Sequence, residues 1–245
     1  MKITATIITL NEERNIASAI ESLRCADEIL IVDSGSVDRT TELAQNLGAR
    51  VIEANWRGYS GQKNWAAEQS SHDWILSLDA DEALSEALDA EILALKKSSP
   101  QYDAYTMPRL ARYLGRWIYH SGWYPDRKIR LYRREKSRFV GNFVHESVEV
   151  EGRVGRLEND ILHFTCESLS EHVKTMERYT TLAAQELAAR KIKIPLTRLI
   201  FDPAWTFVKT YFFQRGFLDG PEGLTIAQMA AFYTFLKYAK ARNMS

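Results

Sequence analysis

The sequence is poor in the features that mark disulfide-rich, zinc-binding and membrane-spanning proteins. Its two cysteines, Cys25 and Cys166, are too few for a disulfide scaffold or for a zinc site built on thiolates. No run approaches the roughly 18 apolar residues of a membrane-spanning helix, and the N-terminus lacks the apolar core of a signal peptide. We therefore expect a protein of the reducing cytoplasm that neither crosses a bilayer nor is exported by that route.

The chain also lacks a net charge, since 32 Lys and Arg residues balance 32 Asp and Glu residues. A general nucleic-acid binder would carry a basic excess, so the composition argues against that class. The balance is uneven along the chain. Residues 193–245 contain seven basic and three acidic residues, so they carry +4 and residues 1–192 carry −4.

Strand-like and helix-like segments alternate in the first hundred residues. Apolar runs at 3–9, 29–32, 51–52 and 74–78 predict strands, and the stretches between them are typical of helices. This alternation indicates an α/β fold with a mixed, mainly parallel sheet and helices on both faces. Ligands of such sheets bind beyond the carboxyl ends of the strands, where we look for functional residues.

The pattern changes after residue 103. Short strands of mixed direction are predicted over 103–163, and helices are predicted from 168 onward. We therefore expect a catalytic domain over 1–167 and a helical C-terminal extension over 168–245.

Two carboxylates separated by one small residue, Asp79 and Asp81, follow the predicted strand 74–78. Side chains at i and i+2 of a strand point the same way, so these groups would repel each other unless a cation lay between them. Mg²⁺ or Mn²⁺, carried with phosphates, would meet that need with hard oxygen ligands. The alternative is a solvated turn in which Asp81 caps a helix.

A second candidate loop, Asp33 to Asp38, follows the predicted strand 29–32. Its Ser-Gly-Ser core allows a tight turn close to a ligand, and Asp33 could accept hydrogen bonds from a base or a ribose. The alternative is an ordinary turn between a strand and a helix, with Asp38 as the cap.

These motifs occur together in the order found in family 2 glycosyltransferases, which the N-terminal half resembles. The matching segments are Thr9–Glu12, Val32–Asp38, Gly61–Asn64 and Asp79–Asp81. The resemblance implies a GT-A fold, a UDP-sugar donor and a single displacement that inverts the anomeric centre. It assigns donor binding to Thr9, Asn11, Glu12, Asp33, Gly35, Lys63 and Asp79, and metal binding to Asp79 and Asp81.

The remaining sequence resembles bacterial β-1,4-glucosyltransferases of the lipopolysaccharide inner core, on Tyr124–Arg134, Val144–Glu146 and Arg215–Gly223. This implies a lipid-linked saccharide acceptor. A transferase for another surface polysaccharide and a non-catalytic saccharide-binding protein are the alternatives. A nucleotidyltransferase or a dehydrogenase would need a glycine-rich loop after the first strand, which Leu10–Glu13 does not provide.

An inverting transfer needs a base for the acceptor hydroxyl, for which Glu146 is our first candidate and Asp126 our second. His145 could orient Glu146 or be a buried histidine, and Glu146 itself could be an exposed strand residue. His163 is a candidate metal ligand or a core histidine. Arg130, on the alternating strand 128–133, is the cation that we expect to face the leaving diphosphate.

The tail combines aromatic residues with positive charge. Residues 193–245 hold 11 of the 27 aromatic residues, and apolar positions recur at helical spacing over 196–213. The apolar surface is wider than a core contact requires, because Phe201, Trp205 and Phe213 lie outside that stripe. We expect these helices to lie on the inner face of the cytoplasmic membrane; the alternatives are that they cover the sheet or form an oligomer.

Overall fold

The computed structural model describes residues 1–141 and 146–244. The chain forms two compact units, one of Met1–Arg109 with Asp126–His163 and one of Leu110–Pro125 with Phe164–Ser245. We call them the first and the second unit. The domain limits expected from the sequence, 1–167 and 168–245, stay a prediction.

The strands are numbered in chain order over the described residues. They are β1 (Ile3–Thr9), β2 (Glu28–Asp33), β3 (Arg50–Glu53), β4 (Trp74–Asp79), β5 (Glu82–Leu84), β6 (Ala104–Tyr113), β7 (Arg116–Ile118), β8 (Asp126–Arg133), β9 (Ser137–Val140), β10 (Ser147–Val150), β11 (Val154–Arg156) and β12 (Ile161–Cys166).

The helices are numbered in the same way. They are α1 (Ile16–Glu21), α2 (Thr40–Asn46), α3 (Tyr59–Glu68), α4 (Glu86–Lys97), α5 (Leu169–Ala189), α6 (Leu196–Val208) and α7 (Gly220–Met244). A π-helical stretch, Lys209–Phe213, continues α6, and a 3₁₀ turn, Gly216–Asp219, precedes α7.

The main sheet has the order β3-β2-β1-β4-β8-β6-β12-β5, with β7 and β11 both paired to β6. Strands β1 to β4 run parallel, and β8 lies antiparallel to β4. The carboxyl ends of β1, β2 and β4 therefore meet at one edge of the sheet. The mixed α/β architecture predicted from the sequence is confirmed.

Alternate residues of β2 show that helices cover both faces of this sheet. Leu30 and Val32 pack with Ala66 of α3 in one apolar cluster. Ile31, between them in sequence, packs in a larger cluster with Ile16 of α1. Since neighbouring side chains of a strand point to opposite faces, the two clusters lie on opposite sides of the sheet.

The segment after the acid pair differs from the sequence-based alternative of a helix capped by Asp81. Residues Glu82–Leu84 form β5, and the next helix, α4, begins only after Ser85. The Ser85 hydroxyl accepts a hydrogen bond from the Leu88 N–H at 3.1 Å, so Ser85 is the cap. That alternative for Asp81 is therefore wrong.

In the second unit, α7 packs against both α5 and α6. Helix α5 starts with a capping box, in which Ser168 and Glu171 satisfy each other's backbone N–H groups. Lys240 of α7 donates hydrogen bonds to Thr180 and Thr181 of α5, at 2.8 and 2.9 Å. Among the described residues, no helix is both long and apolar enough to cross a bilayer.

Candidate active site

The turn after β2 is built around Asp33, whose side chain is almost fully buried. Its carboxylate accepts hydrogen bonds from the Thr9 hydroxyl at 2.9 Å, the Gly35 N–H at 2.9 Å and the Ser36 N–H at 2.7 Å. Gly35 has φ +95°, a conformation that favours glycine. Asp33 therefore shapes this turn, and its contact with a nucleoside stays a prediction.

The residues after β1 lie against the same turn. The Asn11 N–H donates to the Ser36 hydroxyl at 2.8 Å, and Asn11 Oδ1 accepts from the Val37 N–H at 2.9 Å. Burial raises the pKa of Glu12, a hydrogen bond from Asn15 opposes that rise, and the charges of Asp81, Asp38 and Asp79 add to it. Glu12 is thus surrounded by like charges at the carboxyl end of the sheet.

Asp79, the last residue of β4, is held between two buried cations. Its Oδ1 lies 2.6 Å from Lys63 Nζ, and its Oδ2 lies 2.6 Å from Arg130 Nη2. The two cationic side chains are only 1% and 5% exposed. Burial alone would raise the pKa of Asp79, but Arg130 and Lys63 outweigh it and hold the pKa well below its ordinary value. Asp79 is therefore an anion with its charge already balanced.

The ion pairs continue beyond Arg130 through Glu82 and Arg109, which the sequence did not single out, to Asp126, the second candidate for the base. Glu82, which is fully buried, accepts from Arg130 Nη2 at 2.8 Å and from Arg109 Nη1 at 3.2 Å. Arg109 Nη2 in turn lies 2.6 Å from Asp126 Oδ2, and Lys128 Nζ lies 3.0 Å from Asp126 Oδ1. Burial would raise the pKa of Asp126, but Arg109 and Lys128 lower it. Asp126 thus belongs to the same alternating network.

At the other end of the network, Lys63 also forms an ion pair with Glu146 Oε1. Glu146 Oε2 is buried, and no described residue is its hydrogen-bond partner. His145, the residue proposed to orient Glu146, lies outside the described residues. Glu146 therefore has one carboxylate oxygen fixed by Lys63 and a second oxygen without a described partner.

Asp81 turns to a different partner from Asp79. Its Oδ2 lies 3.2 Å from Nε2 of His163, which β12 brings beside β5. The structure thus brings together Asp81 and His163, but not Asp79. Among the residues that the structure describes, no three His, Cys, Asp or Glu side chains form a group that could hold a metal ion. Because β4 ends at Asp79, the strand alternation that would place Asp79 and Asp81 on one face does not extend to Asp81.

Gln62 is a further polar residue that sequence reasoning missed. It is fully buried in α3, its Nε2 donates to the Ser34 hydroxyl at 3.2 Å, and its Oε1 has no described partner. For Gln62 the signal was its place beside Lys63 in a matching motif. For Glu82 the signal was its position directly after the acid pair. Arg109 lies in no motif, so only the fold could identify it.

Comparison with known proteins adds an independent finding. The sequence profile of glycosyl transferase family 2 matches residues 4–148. An uncharacterized glycosyltransferase of Rickettsia typhi is 34% identical over 256 residues, which cover 100% of this chain and 88% of that protein. The lipopolysaccharide core biosynthesis glycosyltransferase LpsC of Rhizobium meliloti is 34% identical over 247 residues, which cover 98% of this chain and 92% of that one.

Two solved structures share the fold at low sequence identity. Staphylococcus aureus TarS, residues 1–349 in complex with UDP-GlcNAc, superposes with a TM-score of 0.50 at 15% identity over 100% of this chain and 90% of that one. Glucosyl-3-phosphoglycerate synthase of Mycobacterium tuberculosis, in complex with Mn²⁺, UDP and phosphoglyceric acid, gives 0.50 at 18% identity over 76% and 77%. Both likenesses concern the fold alone.

Proposed function

The chain belongs to glycosyl transferase family 2, and from that premise we propose that it transfers a hexose, with glucose expected, from a UDP-sugar to a saccharide of the lipopolysaccharide inner core or a similar lipid-linked acceptor. The family and enzyme class expected from the sequence are confirmed. The donor sugar, the acceptor and the inverting displacement are our proposal, supported by the name of the LpsC relative and by the geometry of the first unit.

The observation that carries the proposal is the pair of buried cations on Asp79. A departing nucleoside diphosphate gains negative charge as the glycosidic bond breaks, and preorganised cations in a water-poor site stabilise that charge. Lys63 and Arg130 are buried at the carboxyl end of β4, where ligands of such sheets bind. We assign them to the diphosphate, with Asp79 and Glu82 fixing their positions.

A divalent metal fits Asp81 and His163 better than it fits Asp79. An imidazole nitrogen and a carboxylate oxygen, 3.2 Å apart, are both ligands of Mn²⁺, and diphosphate oxygens and water would complete the coordination. Both oxygens of Asp79 already face cations. When bound, the metal would neutralise part of the diphosphate charge. The Mn²⁺ and UDP in the synthase complex support the use of a divalent metal, and the choice of Asp81 and His163 rests on the contacts of this chain.

For the base, the geometry favours Glu146 over Asp126. A carboxylate held by two cations with a lowered pKa, as Asp126 is, accepts a proton poorly. Glu146 has one oxygen fixed by Lys63 and the other without a described partner. In our mechanism, Glu146 Oε2 takes the acceptor proton as the acceptor oxygen attacks the anomeric carbon and the diphosphate leaves.

The reaction can be tested by incubating the full chain with Mn²⁺ and a panel of UDP-sugars and measuring UDP release. We expect release from one or two of these sugars, and a loss of about a hundredfold or more in Glu146→Gln with intact folding. Glu149→Gln, an exposed glutamate of β10, is the matched control. Near-normal turnover of Glu146→Gln would contradict the assignment of Glu146 as the base. A chain that binds UDP but consumes no donor would support the non-catalytic alternative.

The metal assignment can be tested by Mn²⁺ titration in the presence of UDP. We expect His163→Ala to weaken Mn²⁺ binding about tenfold or more, because it removes one of two protein ligands. His72→Ala, a half-buried histidine elsewhere in the first unit, should bind as the wild type does. Unchanged Mn²⁺ affinity in His163→Ala would instead identify His163 as a structural partner of Asp81.

We also propose that the second unit binds the surface of an anionic membrane through α6 and the stretch that follows it. Large apolar side chains there are each at least half exposed, and we call them the apolar face of α6. Exposed basic residues lie among them, and acidic residues of 193–215 are limited to the half-buried Asp202. Aromatic and basic residues suit the headgroup layer. The apolar face of α6 comprises Leu196, Ile200, Phe201, Trp205, Phe212 and Phe213.

Co-sedimentation with vesicles of phosphatidylcholine and phosphatidylglycerol tests this surface. We expect binding that weakens with salt and falls at least about tenfold in the double variant Phe201→Ser and Phe213→Ser, because two aromatic rings leave the interface. Val37→Ser, which changes an exposed apolar residue of the first unit, is the control. Equal binding of all three proteins, or a stable dimer in solution that the double variant breaks, would contradict the membrane assignment.

A further inference from the structure

A histidine and a buried carboxylate in the second unit form a pair that the proposed transfer site does not use. His120 Nδ1 lies 3.1 Å from Oδ1 of Asp219, whose side chain is 3% exposed. Because a carboxylate only accepts, Nδ1 carries the hydrogen and donates it. In the imidazole form with the hydrogen on Nδ1, the lone pair lies on Nε2, for which no described residue is a hydrogen-bond partner.

Asp219 also fixes the backbone that carries the histidine. It accepts hydrogen bonds from the Tyr119 N–H at 3.1 Å, the His120 N–H at 3.1 Å and the Ser121 hydroxyl at 2.8 Å. Ser121 has φ +58°, a left-handed conformation that is unfavourable for a residue with a side chain. One buried carboxylate thus accepts hydrogen bonds from three consecutive residues, the last of which has an unfavourable backbone conformation.

The residue beside His120 presents an aromatic ring to solvent. Tyr119 is 51% exposed, and its ring meets the Tyr124 ring edge-on, with 5.7 Å between the ring centroids. An exposed aromatic ring next to a fixed hydrogen-bond acceptor suits a ligand with apolar C–H faces and hydroxyl groups. A sugar ring has both.

The charge of this pair favours a neutral saccharide over an anion. Asp219 has His120 as a hydrogen-bond partner, and no lysine or arginine of the described chain forms an ion pair with it. A phosphate at His120 Nε2 would therefore meet the negative field of Asp219 behind the ring. A sugar hydroxyl can donate to Nε2 without that cost.

We propose that Tyr119 and His120, positioned by Asp219, form a saccharide subsite of the second unit that binds a sugar residue of the acceptor. The proposal rests on the proposed transferase function for its substrate class. In this subsite the Tyr119 ring packs on a sugar face and His120 Nε2 accepts from a hydroxyl. Asp219 is a positioning residue, since it acts through His120 and the backbone.

Substitutions can distinguish the roles of the two ring nitrogens of His120. In His120→Asn, the amide N–H₂ can replace Nδ1–H toward Asp219, while nothing replaces Nε2. His120→Gln can reach the position of Nε2 but loses the bond to Asp219. A binding role for Nε2 predicts that the asparagine variant folds normally and binds the acceptor poorly; a purely structural role predicts that it behaves as the wild type.

The probe is the lipid-free core saccharide released by mild acid from lipopolysaccharide of a strain without this gene, with saturating UDP-sugar. We expect His120→Asn and Tyr119→Ala each to raise the acceptor KM about tenfold, the loss of one good contact, without a parallel rise in the donor KM. Tyr119→Phe should restore most of the affinity lost in Tyr119→Ala. His72→Asn serves as the histidine control, and thermal unfolding checks each variant.

Acceptor KM values of both variants within about twofold of the wild type would overturn the subsite and leave the proposed function standing. Absence of UDP release from every donor would overturn the proposed function instead. In that case, saturation-transfer NMR of the core saccharide with the full chain decides the subsite. Binding that is lost in Tyr119→Ala supports it, and absence of binding in the wild type overturns it.

Discussion

In the first unit, Lys63, Arg130 and Glu82 are almost completely buried and paired, whereas in the second unit Phe201 and Phe213 are more than 60% exposed. Charged side chains are buried in the first unit, and large apolar side chains are exposed in the second. Both arrangements are unfavourable for a protein in water unless a partner or a ligand compensates for them. The comparison teaches that the transfer site and the membrane surface that we propose lie where the packing of each unit departs from the ordinary pattern.

Removing one charge from the buried network should produce the largest effect. Asp79→Asn leaves Lys63 and Arg130 without their shared anion, and we expect a loss of about 4 kcal/mol in the free energy of unfolding together with a loss of UDP release. Urea unfolding measures the first quantity. Asp73→Asn, an exposed partner of Arg134, should change little. Equal stability of the two variants would mean that the buried charges are solvated in the native protein.

The next largest effect should come from truncating apolar side chains, which we expect to destabilise the first unit and to leave the stability of the second nearly unchanged. Leu76→Ala, at a fully buried position of β4, should lower the free energy of unfolding by about 3 kcal/mol, because it leaves a cavity. Phe201→Ser removes a side chain that is 66% exposed and should change stability little. A large decrease in the free energy of unfolding of Phe201→Ser, measured without lipid, would indicate that another copy of the chain covers α6.

Acid should weaken the first unit before the second. Burial alone would raise the pKa of Glu28, but hydrogen bonds from Thr4 and Ser71 and the ion pair with Arg50 lower it from 4.5 to about 2. A folded-state pKa below the unfolded one gives stability that is complete above pH 4.5 and is lost as the pH falls toward 2.

After a discount for the solvent around Arg50, we expect this group to contribute about 2 kcal/mol. Glu28→Gln should flatten the pH dependence of stability between pH 4.5 and 2. Hydrogen exchange resolved by region checks whether β2 loses protection before α5 and α7 do. Simultaneous loss of hydrogen-exchange protection in both units would contradict the expected difference in acid sensitivity.

A helix cap provides the smallest effect. Ser168→Ala removes the hydroxyl that accepts from the Glu171 N–H at the start of α5, and we expect a loss of about 1 kcal/mol. Thr225→Ala is the control, because that hydroxyl donates only to the Pro221 carbonyl of its own helix. Hydrogen exchange in the first turn of α5 should quicken in the first variant alone.

The sequence predicted the parallel strands well because β1, β2 and β4 are buried apolar runs bounded by polar residues. The start of α4 could not be placed, because Asp81 and Ser85 are both residue types that cap helices and the short strand β5 separates them. Candidate residues at strand ends, such as Asp33 and Asp79, could be named from position alone. The ion-pair partners of Asp79 could not, because Lys63 and Arg130 come from other segments of the chain.

Lys63 forms ion pairs with two acids from distant segments, Asp79 and Glu146. Loss of the lysine alone would leave two acids without their shared counter-ion, and loss of either acid would leave a buried ammonium underpaired. Substitutions at Lys63, Asp79 and Glu146 should therefore be coupled. We expect relatives that change one of these residues to change the others as well or to have lost the activity.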